Sequence, residues 1–486
     1  MKRTTQALSL VWLLAGCAAV GPDYHKPALE VPVSWQEEWR SAAPSDGLSK
    51  GAWWEIFEDA ELNRLEQQAL SRNQSLKASI ARLEQARALT RISRASYLPT
   101  LEVGVNATRT QPSANRPNNA RNASVSTNIQ TNLNPVFSAA YEVDLFGRIS
   151  REVESSSASQ QQIAADLENI KLILAADIAA NYFNLCAQNA EIEALAQIIA
   201  IQKGTVELIH FRQETGVASK LDSLQQESLL NSTQAQHNLL TSQRDQTRHA
   251  LATLTGVPVS EFTIADRQLP ASIPSVPLDL PAYILERRPD VASAERAVAA
   301  ANAQIGVATA ARFPNLRLTA SRGWQSSELN NLLDAPSIVW SLGLALSQTI
   351  FDGNRNRARV DFAKAGHELA AANYRQTVLL ALQEVEDGLS IDKALADAAE
   401  NNLAAEHAST QAVDIIEHQY KNGLATSFEL FIARKVQLEN RRLVQQITGQ
   451  QLINTVYLIK TLGGGWQGNL PSVNAKDSSA PSFNSM

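Results

Sequence analysis

The chain has 486 residues and carries 43 Lys and Arg against 49 Asp and Glu, a formal charge of −6. That balance argues against a nucleic-acid partner, which needs a basic face to neutralise phosphates. Two cysteines allow one disulfide at most, and two methionines, one at each end, exclude a thioether metal cluster.

Lys2 and Arg3 precede an apolar stretch from Ala7 to Ala15 that includes Val11, Trp12, Leu13 and Leu14. This is a secretory leader, too short to span a bilayer. It ends in Leu14-Ala15-Gly16-Cys17, which resembles the lipobox of bacterial lipoproteins. Cleavage would remove residues 1–16 and leave Cys17 first, acylated on its thiol, with several acyl chains acting together as a stable anchor. Ala18 rather than Asp after the cysteine implies sorting to the outer membrane. The competing reading is an ordinary signal peptide with a chance Cys. Residues 17–58 read as an extended N-terminal segment. After residue 20 no run of 18 apolar residues follows, so no helical membrane span is expected.

Proline placement divides the rest. None occurs between Pro135 and Pro258 or between Pro336 and Pro471, while Pro258, Pro270, Pro274, Pro277, Pro281 and Pro289 cluster. Proline is excluded from helix interiors, so two long helical regions flank a non-helical middle. Ile163, Leu167, Ile170, Leu174, Ile178, Tyr182 and Leu185 recur at steps of three and four, as do Val378, Leu382, Val385 and Leu389. Cys186 falls in the first run and reads as a small packed residue. One helix from Arg148 to Glu214 would span about 100 Å, far beyond a compact domain. Helices Ala218–Leu254 and Glu286–Arg312, stacked end to end, would match its length.

Four segments alternate with period two, the signature of strands with two different faces. Leu101, Val103, Val105 and Ala107 form the first set. Phe137, Ala139, Tyr141, Val143 and Leu145 form the second, Leu316, Leu318 and Ala320 the third, and Ile338, Trp340, Leu342, Leu344 and Leu346 the fourth. Gln111 to Pro135 and Gly323 to Pro336 read as exposed connectors. An internal repeat organises the whole: YLPTLEVGV from Tyr97 matches RFPNLRLTA from Arg312, and FRQETGVASKLD from Phe211 matches HQYKNGLATSFE from His418. The domains expected are a signal peptide (1–16), the extended segment (17–58), a first repeat (59–256), a Pro-rich linker (257–285), a second repeat (286–466) and a disordered tail (467–486). Each repeat runs helix, strand, strand, long helix, helix.

Four strands cannot close a membrane barrel, so several chains must pool them; two chains give eight and three give twelve. The lipobox, GPDYHKP at Gly21, the LFG and FDG strand-to-helix junctions, the two G-x-A-[ST] helix turns and the terminal LGGGW at Leu462 resemble the TolC-like outer-membrane factors. The branch most similar is the lipoprotein channels typified by OprM, which serve resistance-nodulation-division pumps. The resemblance implies a mainly α protein with a membrane β-barrel. Its trimer is a twelve-stranded barrel continuing into a twelve-helix periplasmic tunnel. It implies passive export, with a periplasmic adaptor and an inner-membrane transporter as partners and outer-membrane lipid around the barrel.

The resemblance also implies a gate. The turns at Gly216 and Gly423 would be the periplasmic helix tips, where adaptor hairpins dock. A Tyr three residues before the second Gly and an Asp six after the first close the mouth in the family; here they are Tyr420 and Asp222. Of two acidic positions lining the constriction, Glu429 fills the first, while Ile432 stands at the second. Ala425 replaces a basic residue. Phe428 is an alternative, apolar constriction. Tyr420 and Phe428 also fit as ordinary packing residues.

The seven His residues are scattered without metal spacing, and no phosphate loop or dinucleotide fingerprint occurs. No cofactor and no enzyme activity are expected. The alternative to an export duct is a lipid-anchored periplasmic coiled-coil protein without a pore. The two matched strand pairs argue against it.

Overall fold

The computed structural model describes residues 19–28, 51–111, 113, 128–265, 267, 269–270, 272–274 and 287–464. Cys17, the tail 467–486, most of the connector after Gln111 and much of the Pro-rich linker lie outside the described residues. Among the described residues, seven α-helices and four strands follow in order: α1 (Ala60–Arg72), α2 (Gln74–Ala95), β1 (Thr100–Thr110), β2 (Gln130–Val143), α3 (Arg148–Glu214), α4 (Lys220–Leu254), α5 (Pro289–Ala310), β3 (Asn315–Trp324), β4 (Ile338–Ser347), α6 (Arg355–Lys421) and α7 (Ser427–Thr461).

The repeat is metrically strict. α3 and α6 are each 67 residues, α4 and α7 each 35, and α2 and α5 each 22. α4 and α5 start later than expected. Ser219 caps α4, and Pro289 opens α5 at a position where its missing N–H costs nothing. One 18-residue stretch of α3 is apolar enough to cross a bilayer by composition, but 56% of it is buried inside the protein.

The end-to-end stacking differs from expectation. Asn73 donates from Nδ2 to the Leu254 carbonyl at 2.8 Å and accepts from Leu76 N at 2.9 Å. The end of α4 therefore meets the start of α2, not of α5. In the second repeat Arg288 donates from Nη1 to the Thr461 carbonyl at 3.0 Å, so α7 meets α5. Stacking stays within each repeat because a side chain at the head of one helix satisfies the orphan carbonyls at the tail of the other.

Two compact units are present. One contains residues 28–83, 163–294 and 374–486. Its main core packs Trp53, Trp54 and Phe57 with Leu62 and Leu65 of α1, Ile178, Tyr182 and Phe183 of α3, Leu251 of α4 and Leu452 of α7. Trp53–Phe57 form a 3-10 turn inside the segment expected to be extended. Cys186 is buried in this core and forms no disulfide among the described residues, in agreement with its packed reading.

The other unit contains residues 1–27, 84–162 and 295–373, with the strands in the order β1-β2-β3-β4. All pairs are antiparallel, and the register puts the expected apolar sets on one face. Leu101 and Val103 oppose Ala139 and Phe137. Tyr141 and Val143 oppose Leu318 and Leu316, which in turn oppose Leu344 and Leu346. The other face carries Glu102, Ser138, Ser321 and Ser341 in one row. β2 begins at Gln130, so Pro135 lies inside a strand instead of in a connector. It is tolerated because β3 pairs with β2 only from Val136 onward, apart from the isolated bridge Leu133–Ser326.

At the sheet-to-helix junctions, Asp144 accepts from Ile149 N and Ser150 N at 3.0 and 2.8 Å, and Asp352 accepts from Asn356 N at 3.0 Å. The LFG and FDG motifs are thus helix starts, with Gly147 and Gly353 in left-handed backbone. The GPDYHKP motif is a strap on the same unit. Val20 N donates to Phe146 O at 3.1 Å, Arg151 pairs with Asp23 at 2.8 Å, and Asn302 donates to Pro22 O at 3.0 Å. Tyr24 bonds Glu295 and lies 5.7 Å from the Arg296 guanidinium. A side chain at Gly147 would collide with Ala19, and one at Gly21 with Gly306.

Candidate functional site

The two helix turns are built identically. At the first, Gly216 (φ +78°) donates to Gln213 O at 3.0 Å and Val217 N to Arg212 O at 2.7 Å. At the second, Gly423 (φ +71°) donates to Tyr420 O at 3.0 Å and Leu424 N to Gln419 O at 2.8 Å. Both are Schellman turns, in which a left-handed residue satisfies the last helix carbonyls. No atom lies within 4 Å of a side chain added at either glycine, so conformation and not crowding requires Gly.

Each turn runs into a capping box. Ser219 Oγ accepts from Asp222 N at 3.2 Å, while Asp222 Oδ2 accepts from Ser219 N at 3.0 Å and Ser219 Oγ at 2.8 Å. Glu429 Oε2 accepts from Thr426 N at 2.7 Å and Thr426 Oγ1 at 2.9 Å, and Glu429 N donates to Thr426 Oγ1 at 3.3 Å. The Ser219 hydroxyl and amide hold the Asp222 carboxyl below its ordinary range, and the Thr426 amide and hydroxyl do the same for Glu429. Both are carboxylates at neutral pH, anionic at the tip while they cap.

Tyr420 is 45% exposed, and no hydrogen bond joins it to Asp222 among the described residues of one chain. Phe428, Glu429 and Ile432 come together in an open cleft of about 480 Å³, lined also by Ala412, Ile416 and Val436. This cleft brings the expected acidic and apolar constriction residues onto one surface between α6 and α7.

Two cross-helix bridges near the tips escaped sequence reasoning. His210 Nε2 lies 2.9 Å from Glu227 Oε1, and Glu417 lies 3.3 Å from Arg434 and 3.2 Å from Lys421. They occupy the same stations of the repeat, as an alignment of the two copies on Gly216 and Gly423 would have revealed. Lys421 and Arg434 hold the Glu417 carboxyl low.

Comparison with known proteins agrees with this architecture. The family model described as outer membrane efflux protein matches residues 65–257 and 280–464. A solvent efflux pump outer membrane protein, SrpC of Pseudomonas putida, is 32% identical over 485 residues, covering 96% of this chain and 99% of that one. OprJ of Pseudomonas aeruginosa is 30% identical over 463 residues, covering 94% and 95%. Among solved structures, the outer-membrane channel OprN superposes with a TM-score of 0.82 at 30% identity, covering 93% of this chain and all of that one. The open-state MtrE channel of Neisseria gonorrhoeae gives 0.81 at 27%, covering 93% and 99%. With a sheet of one apolar and one polar face, paired 67-residue helices and capped tips, the chain belongs to the outer membrane efflux protein family.

Proposed function

We propose that the chain is the outer-membrane duct of a tripartite efflux system. It works as a homotrimer joined by a periplasmic adaptor to an inner-membrane transporter of the resistance-nodulation-division type. The observation that carries this reading is the four-stranded sheet. Its apolar face suits lipid, its polar face suits a wet lumen, and β1 and β4 each have one neighbour. Lipid leaves no backbone group unpaired, so β4 of one copy must pair with β1 of the next. Twelve strands give a tube wide enough for solutes, whereas eight would fill with side chains. The two repeats, 59–256 and 286–466, each supply two strands and two helical columns to that tube, one a long helix and one a stacked pair.

Cys17 is the acylated residue. The strap supports this reading, because Ala19 abuts Gly147 at the sheet-to-helix junction. Gly216 and Gly423 form the periplasmic tips and the adaptor-docking region. Asp222, Tyr420 and the Glu429 ring close the mouth across protomers. A second reading places the closure at an apolar ring of Phe428 and Ile432. The shared cleft favours it.

Mass measurement in detergent and single-channel recording test the duct. A trimer with ion conductance is expected, and a non-conducting monomer would refute it.

A further inference from the structure

The apolar face of the sheet contains a cationic feature that the duct reading does not use. In the paired register this face carries two charged residues, Arg109 and Arg322, and no acid. Glu102, Glu142 and Arg317 all lie on the opposite face. The acids are therefore confined to the polar face, while the cations occur on both. Arg322 sits in one row with Phe137 on β2 and Trp340 on β4. Adjacent strands are about 4.8 Å apart, so the three side chains stand beside one another. Phe137 is 56% and Trp340 75% exposed, Arg322 is exposed, and among the described residues no carboxylate pairs with it.

The height of this row is informative. Below it, Leu342, Leu344, Leu346, Ile350 and Phe351 are 66–89% exposed. From Ser347, the last residue of β4, up to Trp340, at ~3.3 Å per residue and a strand tilt of ~40°, the strand climbs about 18 Å, within the apolar band of ~25 Å in outer-membrane barrels, and Ile350 and Phe351 follow in non-strand chain below it. Trp340 then marks an aromatic girdle at the far end of the sheet. Arg322 lies at the girdle away from the helices, where a cation on the lipid face is tolerated and lipid headgroups begin.

We propose that Arg322, flanked by Phe137 and Trp340, binds the phosphate of an anionic lipid in the outer leaflet. The proposal rests on the reading of the sheet as part of an outer-membrane barrel. The chemistry suits it. A guanidinium grips a phosphate with two parallel N–H···O bonds, and the flanking rings pack against acyl chain or sugar while limiting competing water. Arg109, nearer the outer rim on the same face, supplies a second cation to the headgroup layer.

Purified full-length channel in detergent, incubated with bis-phosphorylated lipid A and examined by native mass spectrometry, tests this. The wild-type chain is expected to retain lipid A, and Arg322→Gln to retain it about tenfold more weakly. Arg317→Gln, on the opposite face, is expected to match wild type. Dephosphorylated lipid A should be lost from all forms. Phosphatidylglycerol in a parallel arm separates the sources: its equal retention assigns the site to any lipid phosphate, and its loss to lipid A. If Arg322→Gln does not assemble, Arg322→Lys keeps the charge without the fork and should weaken retention several-fold. Equal retention by wild type and the assembled Arg322 variant, or equal retention of dephosphorylated lipid A, overturns the proposal. Failure of the wild-type chain to enter membranes would instead overturn the barrel reading.

Discussion

His210 Nε2 stands 2.9 Å from Glu227 in the first tip hairpin, at the station where Glu417 meets Arg434 in the second. The same bridge is built twice with its polarity reversed. One version depends on a histidine, which is charged only when protonated, and the other on an arginine, which is always charged. Protonation of Glu417 removes its contribution as the pH falls through its depressed value. Glu417→Gln breaks the second bridge, so hydrogen exchange at residues 412–422 is expected to quicken relative to wild type at the same pH.

Asp222 serves its own helix cap within one chain, so the gate reading and the cap reading must be separated. Asp222→Ala with Tyr420→Phe is expected to raise single-channel conductance and admit large antibiotics. Ser219→Ala breaks the cap, costing about 1 kcal/mol of local stability, while leaving the carboxylate in place. It should leave conductance near wild type. If Ser219→Ala opens the channel as widely, fraying of α4 and not loss of a gate bond is responsible. Glu429→Gln should separately weaken cation selectivity, because the proposed gate sets three carboxylates around one mouth, where they would focus the field.

Glu66 of α1 is fully buried, and among the described residues neither of its carboxyl oxygens has a hydrogen-bond partner. Burial pushes its carboxyl up to about 9. The folded value lies above the ~4.3 of an unfolded Glu, so the native state keeps a proton that the unfolded chain has released. That contribution to stability is full at acid pH and is lost as pH rises toward the folded value. Glu66→Gln removes the ionisation and should stabilise the protein at pH 7.5 by on the order of 2 kcal/mol. Thermal melts at pH 5 and 9 should then differ less than in wild type. An unchanged difference would contradict the assignment.

Arg151 is 8% exposed and holds the strap through Asp23, with Val20 O and Gly21 O each 3.4 Å away. Arg151→Ala should free residues 19–24. Limited proteolysis would then cut this segment in the variant and spare it in wild type. Gly147→Val should act similarly, since it combines a left-handed backbone (φ +75°) with a collision at Ala19.

Much of this protein was legible without coordinates because it is local and periodic. Proline-free spans, three-and-four spacing and period-two alternation announce helices and strands through backbone geometry alone. The repeat then doubles each signal, which is why Arg148–Glu214 is the helix expected, residue for residue. The capping boxes at Ser219–Asp222 and Thr426–Glu429 were equally local, but their acids were read for the gate before the cap. Tertiary structure alone decided what meets across distance. Asn73 reaches Leu254, Arg288 reaches Thr461, and the strap closes on Arg151 and Asn302. None of these contacts has a period. Each joins an orphan backbone carbonyl or a lone carboxylate to a donor far along the chain, and only the folded path brings them within hydrogen-bonding reach.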